Sequence, residues 1–255
     1  TATQAGLENI GIDGVKILDK RLHGRKLKRG TLGGNRFRLT IREFDGDTQN
    51  VTERLESIRL NGVPNYFGPQ RFGHQGRNIE QGFRLLSANA RLKRHKKSIY
   101  LSAIRSFLFN HVLAERVRLG SWNHMVNGDL AMLDGSQSIF MCELPDQDIE
   151  ERCKRLDIHP TGPLPGEGGT LPVAEAAALE LAVLHNWPEL QQLLSAQRVQ
   201  ASRRSLRLYP GGLEWTFAGS NLEMTFELPP GSYATTVLSE VLDITEAGLS
   251  PDQDN

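Results

Sequence analysis

The sequence predicts an α+β fold, a mixed sheet core built from both ends of the chain and interrupted by a mainly helical insertion. Apolar and polar residues alternate near both ends, over Asn35–Phe44 and again over Leu222–Leu228, as in strands with one buried face. Between them the pattern shifts to helical periodicity over Asn78–Ala88, Ser98–Leu119, Asp146–Leu156 and Val173–Asn186. An order of strands, helices and strands is that of a chain which leaves a sheet domain and later re-enters it. The expected boundaries are 1–61 and 209–255 for the core, its N-terminal part incomplete, and 62–208 for the insertion.

In chain order, Gly14–Asp19 reads as a short strand, and the loop after it carries cations at 20, 21, 25, 26, 28 and 29. That loop suits a phosphate-binding arm through Lys26, Lys28 and Arg29, or a solvated hairpin connection. In the strand over Asn35–Phe44, Phe37, Leu39 and Ile41 face one way and Arg36, Arg38, Thr40 and Arg42 the other, giving one core face and one cationic face. Asn50 and Glu53, at capping-box spacing, predict a helix over Asn50–Leu60 with Val51, Leu55 and Ile58 on its stripe and Gly62 just past its end. The basic linker RLKRHKK joins the next two helices, and Arg105 shares the apolar stripe of the second with Leu101, Leu108, Phe109 and Val112. A buried arginine needs a partner: phosphate, a carboxylate near the loop described below, or an internal salt bridge. Gly128–Glu143 predicts short strands around a turn at Asp134 and Gly135, and HPTGPLPGEGG a Pro/Gly-rich loop. Trp187–Gln200 predicts a further helix, and Gly212–Phe217 with Leu222–Leu228 a hairpin stopped by Pro229, Pro230 and Gly231. Ser232 is placed to cap a helix from Tyr233 to about Leu242, ahead of a polar tail.

The 30 Lys and Arg residues balance 30 Asp and Glu, yet the charges are segregated. From Lys20 to Arg42, and from Gln81 to Ala114, every charged side chain is basic, whereas the chain beyond Gly219 carries acids only. Basic tracts of this kind make a local field suited to a polyanion. The two cysteines, Cys142 and Cys153, lack CxxC spacing and read as idle or buried thiols of a reducing compartment. No apolar run is long enough to span a bilayer, so no membrane role and a cytoplasmic location are expected. HExxH, paired CxxC and dinucleotide fingerprints are missing, and the glycine-rich loop lacks the Lys-Ser/Thr ending of a phosphate loop.

The stretch with most to explain is Asn61–Gly73, NGVPNYFGPQRFG. Its glycines and prolines make a shaped loop, Tyr66, Phe67 and Phe72 offer faces for stacking, and Arg71 offers a planar donor fork suited to phosphate. The bland alternative is a domain-junction loop whose aromatics plug the core. NYFGPQRFG is similar to the signature of the TruD family of tRNA pseudouridine synthases. GNRF at Gly34–Phe37, RSFLFN at Arg105–Asn110 and LPPGSYATTVLSE at Leu228–Glu240 resemble three further blocks of that family, in its order.

The resemblance implies a pseudouridine-synthase core with a TruD-specific insertion, tRNA held in a cleft between the two, and isomerisation of a D-arm uridine to pseudouridine by a monomer without metal or cofactor. It implies that Asn35 contacts the target nucleotide and Tyr233 stacks on its base; otherwise these are a turn asparagine and an aromatic that staples a helix start. Phe37 is open to two roles, base contact and core packing. Tyr66, Gln70, Arg71 and Arg105 complete the expected RNA contacts. The family's catalytic aspartate sits in a Gly-x-Lys-Asp motif ahead of the GNRF block, and none occurs between Thr1 and Asn35. The chain also begins TATQAG without Met, so the expectation is a fragment whose aspartate lies on a preceding segment, with a non-catalytic RNA-binding module as the alternative and a protein-interaction scaffold behind both.

Overall fold

The computed structural model describes residue 24 and residues 32–243, so the strand expected at Gly14–Asp19, the cations Lys26, Lys28 and Arg29, and the polar tail lie outside the described residues. In order, the elements are β1 (Asn35–Ile41), α1 (Thr48–Asn61), β2 (Val63–Pro64), α2 (Arg77–Ser87), α3 (Arg94–Arg118), β3 (Asp129–Leu133), β4 (Ile139–Cys142), α4 (Gln147–Lys154), β5 (Ile158–Leu164), α5 (Ala174–Leu184), α6 (Pro188–Ala196), β6 (Ser202–Ser205), β7 (Arg207–Leu208), β8 (Gly211–Ala218), β9 (Asn221–Leu228) and α7 (Ala234–Ser239). Two 3-10 turns, Pro69–Phe72 and His74–Gly76, follow β2.

Helix and sheet are mixed, as the α+β reading requires. The two ends of the chain meet in an antiparallel sheet of order β1-β9-β8, in register Phe37 opposite Phe226 and Leu39 opposite Met224. The alternation of β9 buries Leu222, Met224, Phe226 and Leu228 against Val51, Leu55 and Ile58 of α1 and Val237 of α7. Each such side chain contributes about 1.5–3 kcal/mol of transfer free energy.

The cap of α1 lies further upstream than the expected box. Asp47 accepts from the amides of Gln49 and Asn50, and Glu53 instead accepts from the Gln49 side chain. An aspartate in extended conformation just ahead of the first turn is the stronger cap, because its carboxylate also meets the positive end of the helix. The expected cationic face of β1 is a mixed one: Arg36 bonds Glu227 of β9 at 2.5 Å, and Arg38 lies 4.0 Å from Glu223.

Gly62 ends α1 at φ 75°, and a Cβ there would lie 2.5 Å from the Leu208 carbonyl. This close approach lets β2, where the chain leaves the sheet, pair with β7, where it returns: Val63 faces Leu208.

Between these points lies a second sheet of order β4-β3-β5-β6. Its strand β5 comes from the stretch expected to be a loop. Ile158, His159 and Pro160 pair with β3, then Thr161–Leu164 pair with β6, so the strand changes partner at its first proline. The Thr161 hydroxyl donates to the Leu130 carbonyl at 2.6 Å, one residue beyond the Ala131–Pro160 pair, and supplies a donor beside a residue that has none. Helices α2, α3 and α6 share one apolar cluster, including Leu86, Tyr100, Ile104, Leu108 and Leu194. A buried pair ties α3 to β3: Arg116 donates to both oxygens of Asp129, at 3.0 and 2.8 Å, and to the carbonyls of Ser121 and His124.

Three helices differ from expectation. Helix α3 begins at Arg94 and takes in half of the basic linker, α6 stops at Ala196, and α7 spans only Ala234–Ser239. Ser232 does not cap α7, whose N-cap is Tyr233 and carries no side-chain bond. Cys142 and Cys153 are both buried free thiols, held protonated by burial.

Candidate nucleic-acid interface

The loop after β2 is held by side-chain amides. Asn65 is buried; its backbone amide donates to the Leu206 carbonyl at 2.8 Å and its side chain to the Ser205 carbonyl at 2.8 Å. Asn110 of α3 grips Phe67 at both ends, accepting from its amide at 2.9 Å and donating to its carbonyl at 3.0 Å. Phe67 therefore sits fixed, edge-on to Phe109 at 5.5 Å and to Tyr233 at 6.3 Å. At Gly68 a Cβ would lie 3.2 Å from the Tyr233 ring and 3.1 Å from the Thr235 hydroxyl, so the missing side chain brings the loop onto the residues that open α7.

Two arginines face the same ring. The guanidinium carbon of Arg204 lies 4.0 Å from the Phe67 centroid and that of Arg71 at 5.2 Å. Arg204 donates to the Asn65 side-chain oxygen at 2.5 Å and to the Gly231 carbonyl at 3.1 Å. Burial lowers its pKa to about 10, with Tyr233 opposing and Arg71 adding to the shift. Arg71 donates to Ser102 Oγ at 3.0 Å, and its Nε is buried without a partner. Among the described residues neither arginine has a carboxylate partner. Two cations against one aromatic ring, without a carboxylate partner among the described residues, suit an electron-rich ring or an anion.

The other expected residues fall in different places. Gln70 is exposed on the first 3-10 turn, at the mouth of a cleft of about 990 Å³ between the loop and α3. Tyr66 is half-buried; its carbonyl accepts from Thr236, and burial together with the Glu240 carboxylate raises its phenol pKa. Glu240 is itself raised by burial, against the pull of Arg54. Asn35 is exposed at the start of β1 opposite Leu228, and Gly34 before it packs on the Leu228 carbonyl, so the GNRF block lies at the end of the sheet from which the turn to Tyr233 departs. Phe37 stacks on Phe226 at 5.5 Å and packs against the sheet core, the second of its two roles. The Nη2 of Arg105 is held internally by the Leu164 carbonyl, the Gln200 carbonyl and the Ser202 hydroxyl, at 2.8–3.0 Å. This is the internal tie among the open alternatives, made with carbonyls and a hydroxyl in place of a carboxylate.

Asn65 and Arg204 were not anticipated. Asn65 stood inside the signature loop, overshadowed by the aromatics beside it. Arg204 lies in the run SRRSLRLY, whose alternation places Arg203 and Arg207 among the buried residues and leaves Arg204 aimed at the loop. Among the described residues no group of His, Cys, Asp and Glu is arranged to hold a metal ion, and no helix is long and apolar enough to cross a membrane.

A fixed aromatic ring and two guanidinium groups without carboxylate partners among the described residues, beside a wide cleft on an α+β scaffold, are features suited to RNA. The family model described as tRNA pseudouridine synthase D (TruD) matches residues 1–89 and 77–241. The chain is 45% identical over 240 residues to tRNA pseudouridine synthase D of Methylococcus capsulatus, covering 92% of this chain and 67% of that one. It is 44% identical over 240 residues to the protein of the same name from Nitrosococcus oceani, covering 93% and 67%. A solved Methanosarcina mazei structure described as TruD superposes with a TM-score of 0.59 at 18% identity, over 83% of this chain and 69% of that one, and so shares the fold. The chain belongs to the TruD family.

Proposed function

We propose that this chain binds tRNA and takes one D-arm uridine, extruded from its stack, into the cleft beside Phe67 and Tyr233 for conversion to pseudouridine. In that reaction the bond from uracil N1 to the sugar C1′ breaks, the base turns, a C5–C1′ bond forms, C5 gives up its proton to a base and N1 takes up a proton, so that the formula is unchanged. The observation that carries this reading is the pairing of Arg204 and Arg71 with the Phe67 ring, next to Tyr233. Base extrusion costs a few kcal/mol of stacking, roughly, which aromatic contact and a cationic surround offset.

In this reading Tyr233 stacks on the uracil, Asn35 contacts the target nucleotide, Gln70 reaches a base edge and Arg71 a phosphate. Tyr66 lines the same loop, and Lys26, Lys28 and Arg29 follow the RNA backbone. Regions 62–208 and 1–61 with 209–255 act as insertion and core domains. The protein works as a cytoplasmic monomer, in keeping with its family's tRNA chemistry.

Isomerisation needs a carboxylate. Asp129 is held by Arg116 and Asp134 by His159, and the sequence has no Gly-x-Lys-Asp ahead of GNRF. The alternative reading is an RNA-binding module without turnover. Incubation with a tRNA transcript, chemical mapping of pseudouridine and a parallel binding measurement separate the two. Binding with turnover only when a Gly-x-Lys-Asp segment is joined upstream supports the synthase reading. Binding without turnover in that extended chain supports the module, and no salt-dependent binding in either chain overturns both.

A further inference from the structure

The cleft beside Phe67 is larger than one pyrimidine requires. At about 990 Å³ it lies at the upper end of the usual range for ligand sites, about 300–1,000 Å³. It is lined by Phe67 and Thr235, by Phe72 and Asn110, and by Phe107, His111 and Ile79. Its chemistry differs from that around the Phe67 ring. The arginines cluster on the Phe67 ring, but no lining residue of the cleft carries a formal charge apart from what its two histidines can take up.

The far wall is aromatic and rigid. Phe107 and His111, one helical turn apart on α3, lie edge to face at 4.4 Å, and both rest on Trp187, at 4.8 and 5.1 Å. Burial lowers the pKa of His111, which keeps its ring neutral near pH 7. Phe72 and the amides of Gln70 and Gln75 also line the cleft, as does exposed His74, and Arg77 donates to the Gln75 amide oxygen at 3.0 Å, leaving the Gln75 amide nitrogen as the donor. Gln75 is held at φ 53° inside the second 3-10 turn, a left-handed conformation that a glutamine pays for in strain and that fixes where this wall stands.

Phosphate would call for cations or a ring of amide donors, and an apolar ligand would leave the side-chain amides unmatched. Flat aromatic faces with neutral donors and acceptors at their edges are how proteins hold unstacked bases. We infer that the Phe107–His111 end of the cleft holds a second nucleobase of the same RNA, adjacent in sequence to the target uridine. This rests on the reading that the Phe67 end takes the target. The second base keeps the extruded strand from restacking, and gives the protein a preference for the sequence next to its target.

The test uses tRNA transcripts in which the base on the 5′ or the 3′ side of the D-arm uridine is removed to leave an abasic sugar, with a control abasic site in the anticodon loop. Binding of the chain should weaken roughly 5- to 100-fold for one of the two neighbouring abasic sites and stay unchanged for the control. His111→Ala, and separately His74→Ala at an exposed position that leaves the core intact, should weaken binding to intact tRNA while narrowing the gap between intact and abasic RNA. Equal affinity for intact and both neighbouring abasic tRNAs, with tRNA binding otherwise normal, would overturn the second-base site and leave the proposed function standing. A gap that persists unchanged in both variants would place the neighbouring base elsewhere. No tRNA binding at all would remove both readings together.

Discussion

The guanidinium carbon of Arg204 lies 4.0 Å from the centroid of Phe67 while the same group donates to the side chain of Asn65, two residues before that ring. One buried cation thus fixes both the ring and the amide of the signature loop. Replacing it with alanine strands the Asn65 oxygen and the Gly231 carbonyl. Arg204→Ala should cost about 1–3 kcal/mol in urea unfolding. The larger effect should fall on tRNA affinity, and Arg204→Lys should restore stability better than binding, because a point charge cannot replace the planar fork.

Tyr233 meets Phe67 edge-on and caps α7 with its backbone alone. Its side chain takes no part in the cap, and its half-buried ring packs beside the Phe67, Phe109 and Leu206 cluster. Tyr233→Ala should weaken tRNA binding by roughly 5- to 100-fold, with a fall in melting temperature smaller than that of Phe67→Ala, and Tyr233→Phe should bind like the parent. A fall in melting temperature without a change in affinity would return the residue to a packing role.

Arg116 and Asp129 are buried together, at 4% and 0% side-chain exposure. Loss of the carboxylate leaves a cation in the interior. Asp129→Ala should destabilise the protein by about 3–5 kcal/mol in chemical denaturation, well beyond a surface charge deletion.

His159 is held as one tautomer: Arg207 Nε donates to its Nδ1 at 2.9 Å, so Nε2 bears the hydrogen and donates to Asp134 at 2.9 Å. Burial, and then Arg207, lower its pKa from 6.5 against the opposing pull of Asp134. The folded form therefore refuses a proton that the unfolded chain accepts below about pH 6.5, and stability present above that value is lost as pH falls. Melting temperature should drop from about pH 7.5 to about pH 5.5, and the slope should be shallower in His159→Gln.

Arg94, His95, Lys96 and Lys97 stand in the first turn of α3, where no acid offsets the positive end of the helix dipole. That arrangement costs stability, which a bound polyanion would offset under the proposed tRNA-binding function. Arg94→Glu should raise stability by about 0.3–1 kcal/mol and at the same time weaken tRNA binding, with the salt slope reduced by about one.

Much of this architecture was legible from residue order because the elements concerned are governed by local pattern. The alternation of Leu222, Met224, Phe226 and Leu228 matches the buried face of β9, and the stripe of Val51, Leu55 and Ile58 matches that of α1. What escaped depends on distant partners. Strand β5 contains Pro160, Gly162 and Pro163, which argue locally for a loop; it is held by β3 on one side, β6 on the other and the Thr161 hydroxyl between them. The segregation of charge along the chain misled for a related reason, since the arginines of β1 meet the glutamates of β9 almost two hundred residues later. Arg105, read as an RNA contact or an internal tie, meets the Leu164 and Gln200 carbonyls and the Ser202 hydroxyl, distant partners that no local side-chain pattern reveals.

The paired bonds between Asn110 and the backbone of Phe67 imitate one rung of a β-ladder, with a helix side chain as the second strand. Both bonds come from a single planar group, so sliding the loop along α3 breaks them together. The aromatic platform and the helix consequently travel as one body, and whatever motion admits a folded polynucleotide must turn about points outside that joint.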